Sequence, residues 1–121
     1  MTIKRNGIYT GKANYHIPES EIGALETSKR TKKEIEDAEN EFCDKIWYVR
    51  HQVSKSKSPD GKISEDPQIC QVAEQTAQRI ENQYGDVQEW FPRDDFELGY
   101  LHGVLSTIRW VGGDYWGFLD T

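Results

Sequence analysis

The 121-residue chain has the length of a single domain, and with 36% hydrophobic and 30% charged residues its core must be modest, so four Trp have to supply much of the buried area. No apolar run approaches the roughly 18 residues a membrane span needs, and the polar N-terminus argues against a secretory signal, so a cytoplasmic protein is expected. The net charge of −6 is unevenly placed: residues 1 to 33 hold seven Lys/Arg and three Glu (net +4), and residues 34 to 121 hold eight Lys/Arg and eighteen Asp/Glu (net −10).

Residues 1 to 27 read as the start of a basic arm, with little helical periodicity. Asn6-Gly7 is a tight-turn dipeptide flanked by Ile3, Ile8 and Tyr9, so a short hairpin is one reading. The other is a flexible arm packing only at Tyr9, Tyr15 and Ile17.

Helical signals begin at Thr31. Thr31-Lys-Lys-Glu34 fits a capping box, although Lys29, Arg30, Lys32 and Lys33 crowd the positive end of the helix dipole. Ile35, Ala38, Phe42, Ile46, Val49 and Val53 follow at spacings of three and four, predicting a helix to about Gln52 with this stripe in the core. Glu34, Asp37, Glu41 and Asp44 align on another face, and Trp47 lies far from the stripe, near Cys43.

Ser54 to Glu65 reads as a loop, with Pro59-Asp60-Gly61 as its turn. Asp66 as cap and Pro67 at the first helical position predict a second helix to Tyr84, ended by Gly85. Its expected buried face is Ile69, Val72, Ala73, Thr76, Ala77, Ile80 and Tyr84. A connector with Trp90, Phe91 and Pro92 leads to the most apolar stretch, Asp95 to Val111, capped by Asp94 or Asp95 and stopped by Gly112-Gly113. That third helix should be largely surrounded by other elements, with Gly99 and Gly103 marking a close crossing inside the fold or a homodimer seam. Asp114 to Leu119 should fold back as an aromatic plug. The expected fold is mainly α, a small three-helix bundle behind an irregular or hairpin-like arm.

Several constellations carry potential chemistry. The acids Glu34, Asp37, Glu41 and Asp44 can be a solvated face or a row imitating phosphates. Trp47, with Tyr48 and His51 beside it, would give such a surface an anchor for a partner protein. His102 and Arg109 lie along one edge of the third helix and could bind an anion or small ligand; the plainer reading makes them a hydrogen-bonded His and a salt-bridged Arg. Lys29, Arg30, Lys32 and Lys33, with Lys4, Arg5 and Lys12, could contact nucleic-acid phosphates, with Tyr9 and Tyr15 stacking on bases. Cys43 and Cys70 are expected to be free thiols. No Glu-x-x-His pair, Gly-x-Ser-x-Gly elbow or phosphate loop occurs, so no metal, cofactor or reaction is expected.

The run Phe96-Glu97-x-Gly99-x-Leu101-x-Gly103-x-Leu105-Ser106-x-x-Arg109-Trp110-Val111-x-Gly113-x-x-Trp116-x-x-Leu119-Asp120-Thr121 resembles the ending of a family of small proteins from bacteria, phages and plasmids. Glu41-Phe42-x-Asp44-x-Ile46-Trp47-Tyr48-x-Arg50-His51 is similar to the same family. The resemblance implies one helical unit in a mobile-element setting and brings no activity with it. A small acidic effector or inhibitor that docks on a host protein, or on a protein–nucleic-acid complex, is the expected class. A small-ligand binder or enzyme using His102 and Arg109, and a nucleic-acid accessory using the basic arm, are the alternatives.

Overall fold

A computed structural model describes residues 29–117. It contains four helices: α1 (Lys32–Lys57), α2 (Pro67–Gln83), α3 (Val87–Trp90) and α4 (Asp95–Val111). The mainly helical architecture with three long helices matches the sequence expectation, and no strand occurs among the described residues. The arm of residues 1–27, including its hairpin reading, lies outside the described residues, as do residues 118–121.

Side-chain caps set the helix starts. The Thr31 hydroxyl accepts the Glu34 N–H at 3.1 Å and the Glu34 carboxylate accepts the Thr31 N–H at 3.2 Å, so two otherwise orphaned donors are satisfied reciprocally. The Thr31 bond and the neighbouring Arg30 hold the Glu34 carboxyl below its usual range. Asp66 accepts from Gln68 N–H at 2.9 Å with Pro67 at the first helical position, and Asp86 and Asp94 cap α3 and α4 in the same way. Helix α1 continues to Lys57, past the expected end at Gln52. Lys55 reaches the Glu74 carboxylate on α2 at 2.8 Å, so the polar last turns gain a tertiary partner that local composition does not reveal.

Helix α1 is the spine: α4 packs on it extensively and α2 less so. The core gathers Ile46, Tyr48 and Val49 of α1, Ala77 and Ile80 of α2, Tyr84, Trp90, and Leu101 and Leu105 of α4. This corrects the expected α1 stripe at one edge. Val53 is exposed, while Tyr48 and even Lys45 turn inward. The inward face is rotated because Tyr84 and Trp90, from the ends of α2 and α3, come to lie over it.

Among the described residues, helix α4 is not surrounded. Only Leu101 and Leu105 are buried, and Phe96 is 83% exposed. The expected close crossing at Gly99 and Gly103 is absent among the described residues, because a Cβ built at either would meet nothing within 4 Å. The physical reason is the small number of neighbours. Among the described residues α4 has a single extensive contact, with α1, so those residues cover one of its faces and leave the other bare.

Candidate functional site

Among the described residues, a groove of about 830 Å³ lies between α1, α2 and the loop joining them. Cys43, Asp44 and Trp47 of α1 line one side, Ile69, Val72, Ala73 and Thr76 of α2 the other, and Ile63 and Asp66 close the end. Half-buried Trp47 is held in place by His51, one turn along, whose ring stacks on it at 4.9 Å and 9°. His51 is buried, with Nε2 3.3 Å from a Glu74 oxygen. Glu74 also takes Lys55, and the lysine bond first and His51 second keep its carboxyl below the usual range.

The α2 wall corrects the sequence reading. Ile69 and Val72, expected in the core, are 51% and 54% exposed. The apolar stripe of α2 is wider than α1 can cover. Ala73, Ala77 and Ile80 take the covered half, and Val72 with Ile69 forms the open half. That excess width was the signal in the sequence for a groove.

The acids that suggested a free negative row are each engaged. Glu34 caps α1 and takes Arg30 at 3.1 Å; Asp37 takes Lys33 at 2.8 Å; Glu41 takes Lys45 at 2.6 Å. Asp44 accepts both Arg79 guanidinium nitrogens at 3.1 Å and the Tyr84 hydroxyl at 2.7 Å, tying α1 to the end of α2. The proposed partner-contact residues therefore divide. Trp47 and Asp44 reach the groove, whereas Tyr48 is buried and donates to Glu81 at 2.6 Å, and His51 supports Trp47 from beneath.

Lys45 went unnoticed in the sequence. Its side chain is fully buried, with Nζ 5.3, 5.6 and 5.4 Å from the ring centres of Phe42, Tyr84 and Trp90. Burial lowers its pKa, and the Glu41 bond opposes that shift. With no exposed atom, Lys45 serves the packing of this face; a lysine in a helical stripe normally reads as solvent-facing.

His102 and Arg109 do not converge on one site. His102 lines a shallow cavity of about 510 Å³ with Asp95, Leu98, Gly99, Gly103, Ser106 and Gly117. Arg109 instead reaches α1, 3.8 Å from Glu39 and 3.5 Å from the Cys43 sulfur. Lys29 and Arg30 edge a second groove, about 710 Å³, with Ile35, Ala38, Ile108 and Val111, while Lys32 and Lys33 pair with Glu36 and Asp37. The remaining basic residues of the arm, with Tyr9 and Tyr15, lie outside the described residues. Cys43 and Cys70 are both free thiols. Among the described residues no cluster of His, Cys, Asp or Glu has the makings of a metal site, and no helix is long and apolar enough to cross a membrane.

No family model, curated protein or solved structure matches this chain.

Proposed function

We propose that this chain is a docking protein whose α1–α2 groove seats a basic, apolar segment of a host protein, most naturally one face of an amphipathic helix. The observation that carries the reading is the pairing of a braced Trp47 with exposed Ile69 and Val72 across one groove. An aromatic anchor held by a stacked ring, facing aliphatic side chains, suits a helix laid into a groove. Charge favours a basic partner: exposed Asp66 stands at the groove, and residues 34 to 121 carry a net −10 from eight Lys/Arg and eighteen Asp/Glu. Mimicry of nucleic acid is the weaker version, because Glu34, Asp37, Glu41 and Asp44 each face a cation of their own chain. Among the described residues, the small-ligand reading is weaker, because His102 lines a cavity with Gly99, Gly103 and Ser106 whereas Arg109 reaches Glu39 of α1. An effector or inhibitor role in a mobile-element setting fits a protein whose most developed feature is a docking groove.

The test places a photoreactive residue at Val72 of the full chain and exposes it to host extract. The reading expects one dominant cross-linked protein, joined through a Lys/Arg-rich amphipathic segment and lost when Trp47→Ala is added. Cross-links scattered over many proteins, or unaffected by Trp47→Ala, would sink it.

A further inference from the structure

The two ends of the α1–α2 groove are unlike. The helices run antiparallel across it: Asp44 of α1 meets Arg79 of α2, and Lys55, farther along α1, meets Glu74, earlier in α2. Trp47 falls between those ties, which puts it at the Thr76 end of the α2 wall. Ile63 and Asp66 close the opposite end, with Val72 and Ile69 between. At 1.5 Å per residue, the stretch of α2 from Thr76 back to its cap Asp66 spans about 15 Å, close to three helical turns.

The charges at the two ends differ as well. Asp44 is engaged on both oxygens, by the two Arg79 nitrogens at 3.1 Å and by the Tyr84 hydroxyl at 2.7 Å. Thr76 beside it turns its hydroxyl back to the Val72 carbonyl at 2.9 Å. Asp66 is exposed and accepts the Gln68 N–H through Oδ1 at 2.9 Å, and among the described residues no cation pairs with it. Lys62 of the same loop lines a separate small cavity, with Lys55 and Glu74. The groove is therefore an apolar channel with a satisfied acid at the Trp47 end and an open acid at the other.

Given that this groove is the docking site, we infer that Asp66 sets which partner it accepts. The occupant is an amphipathic helix whose apolar stripe starts over Trp47 and ends, about eleven residues away, at a Lys or Arg facing Asp66. Eleven residues are about three turns and return a helix to the same face, which matches the length of the α2 wall. The apolar contacts with Trp47, Val72 and Ile69 supply the grip. The pair at Asp66 stays in reach of water, so it adds little affinity and instead fixes the register. A base set one turn short of Asp66 comes to rest on Ile69, where it loses water and gains no counter-charge. At the Trp47 end it meets an acid that Arg79 already holds.

Stapled helical peptides of about sixteen residues are the probe, each with three leucines along one face and one end position that is either Lys or Gln. That position lies about eleven residues from the farthest leucine, at the C-terminal end in one set and at the N-terminal end in a mirrored set, so both directions of docking are sampled. Fluorescence anisotropy of the labelled peptides with the full chain, at low ionic strength, reads the affinity. In one of the two sets the Lys peptide should bind about three- to fivefold tighter than its Gln twin. Asp66→Asn keeps a capping side chain and should abolish that gain. Asp114→Asn removes the same charge beyond the end of α4 and should leave the gain intact. A gain that survives Asp66→Asn, one that Asp114→Asn also abolishes, or no gain in either set overturns the role of Asp66; peptides that still bind and are lost with Trp47→Ala then leave the groove itself standing. Peptides that fail to bind at all, or bind regardless of Trp47→Ala, sink the groove and this inference together.

Discussion

The buried ammonium of Lys45 lies 2.6 Å from the Glu41 carboxylate, one helical turn away, beneath a cover of three aromatic rings. The two partners are unequal: the lysine side chain has no exposed surface, while Glu41 keeps 17%. Removing one or the other should therefore have different consequences. Glu41→Ala leaves a buried cation unpaired and should cost about 3–5 kcal/mol. Lys45→Met keeps an apolar stem of similar volume among the rings and leaves a carboxylate that can still reach water, so the loss should be under about 1.5 kcal/mol. Urea unfolding of both variants checks the order, and equal losses would contradict the asymmetry.

Tyr48 and Tyr84 give the fold an alkaline limit. Burial first, and the bonds to Glu81 and Asp44 second, push both phenols up to about 12 from the ordinary 10. A raised folded-state pKa contributes stability that is complete below the unfolded value. It is lost as pH rises through the folded value, so the window runs from about 10 to about 12. Absorbance titration at alkaline pH should show two of the six tyrosines ionising late, with unfolding in the same range. Six equivalent tyrosines near pH 10 would contradict the buried hydrogen bonds.

Much of this fold was legible in the sequence, and the parts that were not share a cause. Caps and stops are local chemistry, so Thr31, Asp66 and Pro67 marked their helices, and α4 spans Asp95–Val111 as expected. Burial depends on how many neighbours a helix finds. The apolar run of α4 promised a surrounded helix, yet only Leu101 and Leu105 are buried, because a bundle this small covers one side. Lys45 faces inward for the converse reason: Tyr84 and Trp90 arrive over it from distant sequence, and no periodicity in α1 announces them. Trp47 stands out in the sequence for its distance from the α1 stripe, and it lies half-buried at the groove; its setting depends on Ile69 and Val72, which periodicity alone assigns to the core.

Gly99 sits in the interior of an exposed helical face with open space where its Cβ would be. Gly99→Ala should therefore stabilise the fold by about 0.5–1 kcal/mol, the usual gain from replacing a helical glycine. Chemical denaturation measures it. A destabilised variant would show that another segment of the chain approaches this face after all.

Asp44 joins α1 to α2 through Arg79 and the Tyr84 hydroxyl. Its charge serves the fold, so Asp44→Ala should cost about 1–3 kcal/mol, chiefly by leaving the buried tyrosine hydroxyl without its acceptor. Half-exposed Arg79 contributes less, being screened by water, and Arg79→Ala should cost under about 1 kcal/mol. Thermal melts of the two variants separate these terms, and an Asp44→Ala protein as stable as the parent would remove Asp44 from the interhelical contact.

The central claim is that the α1–α2 groove is where a partner sits. Hydrogen exchange of the full chain, with and without the protein captured through position 72, tests it most directly. The account predicts that protection on binding concentrates in residues 43–47 and 66–76, the strands of sequence that line the groove, while α4 exchanges as in the free protein. Protection confined to α4, with residues 66–76 unchanged, would contradict it.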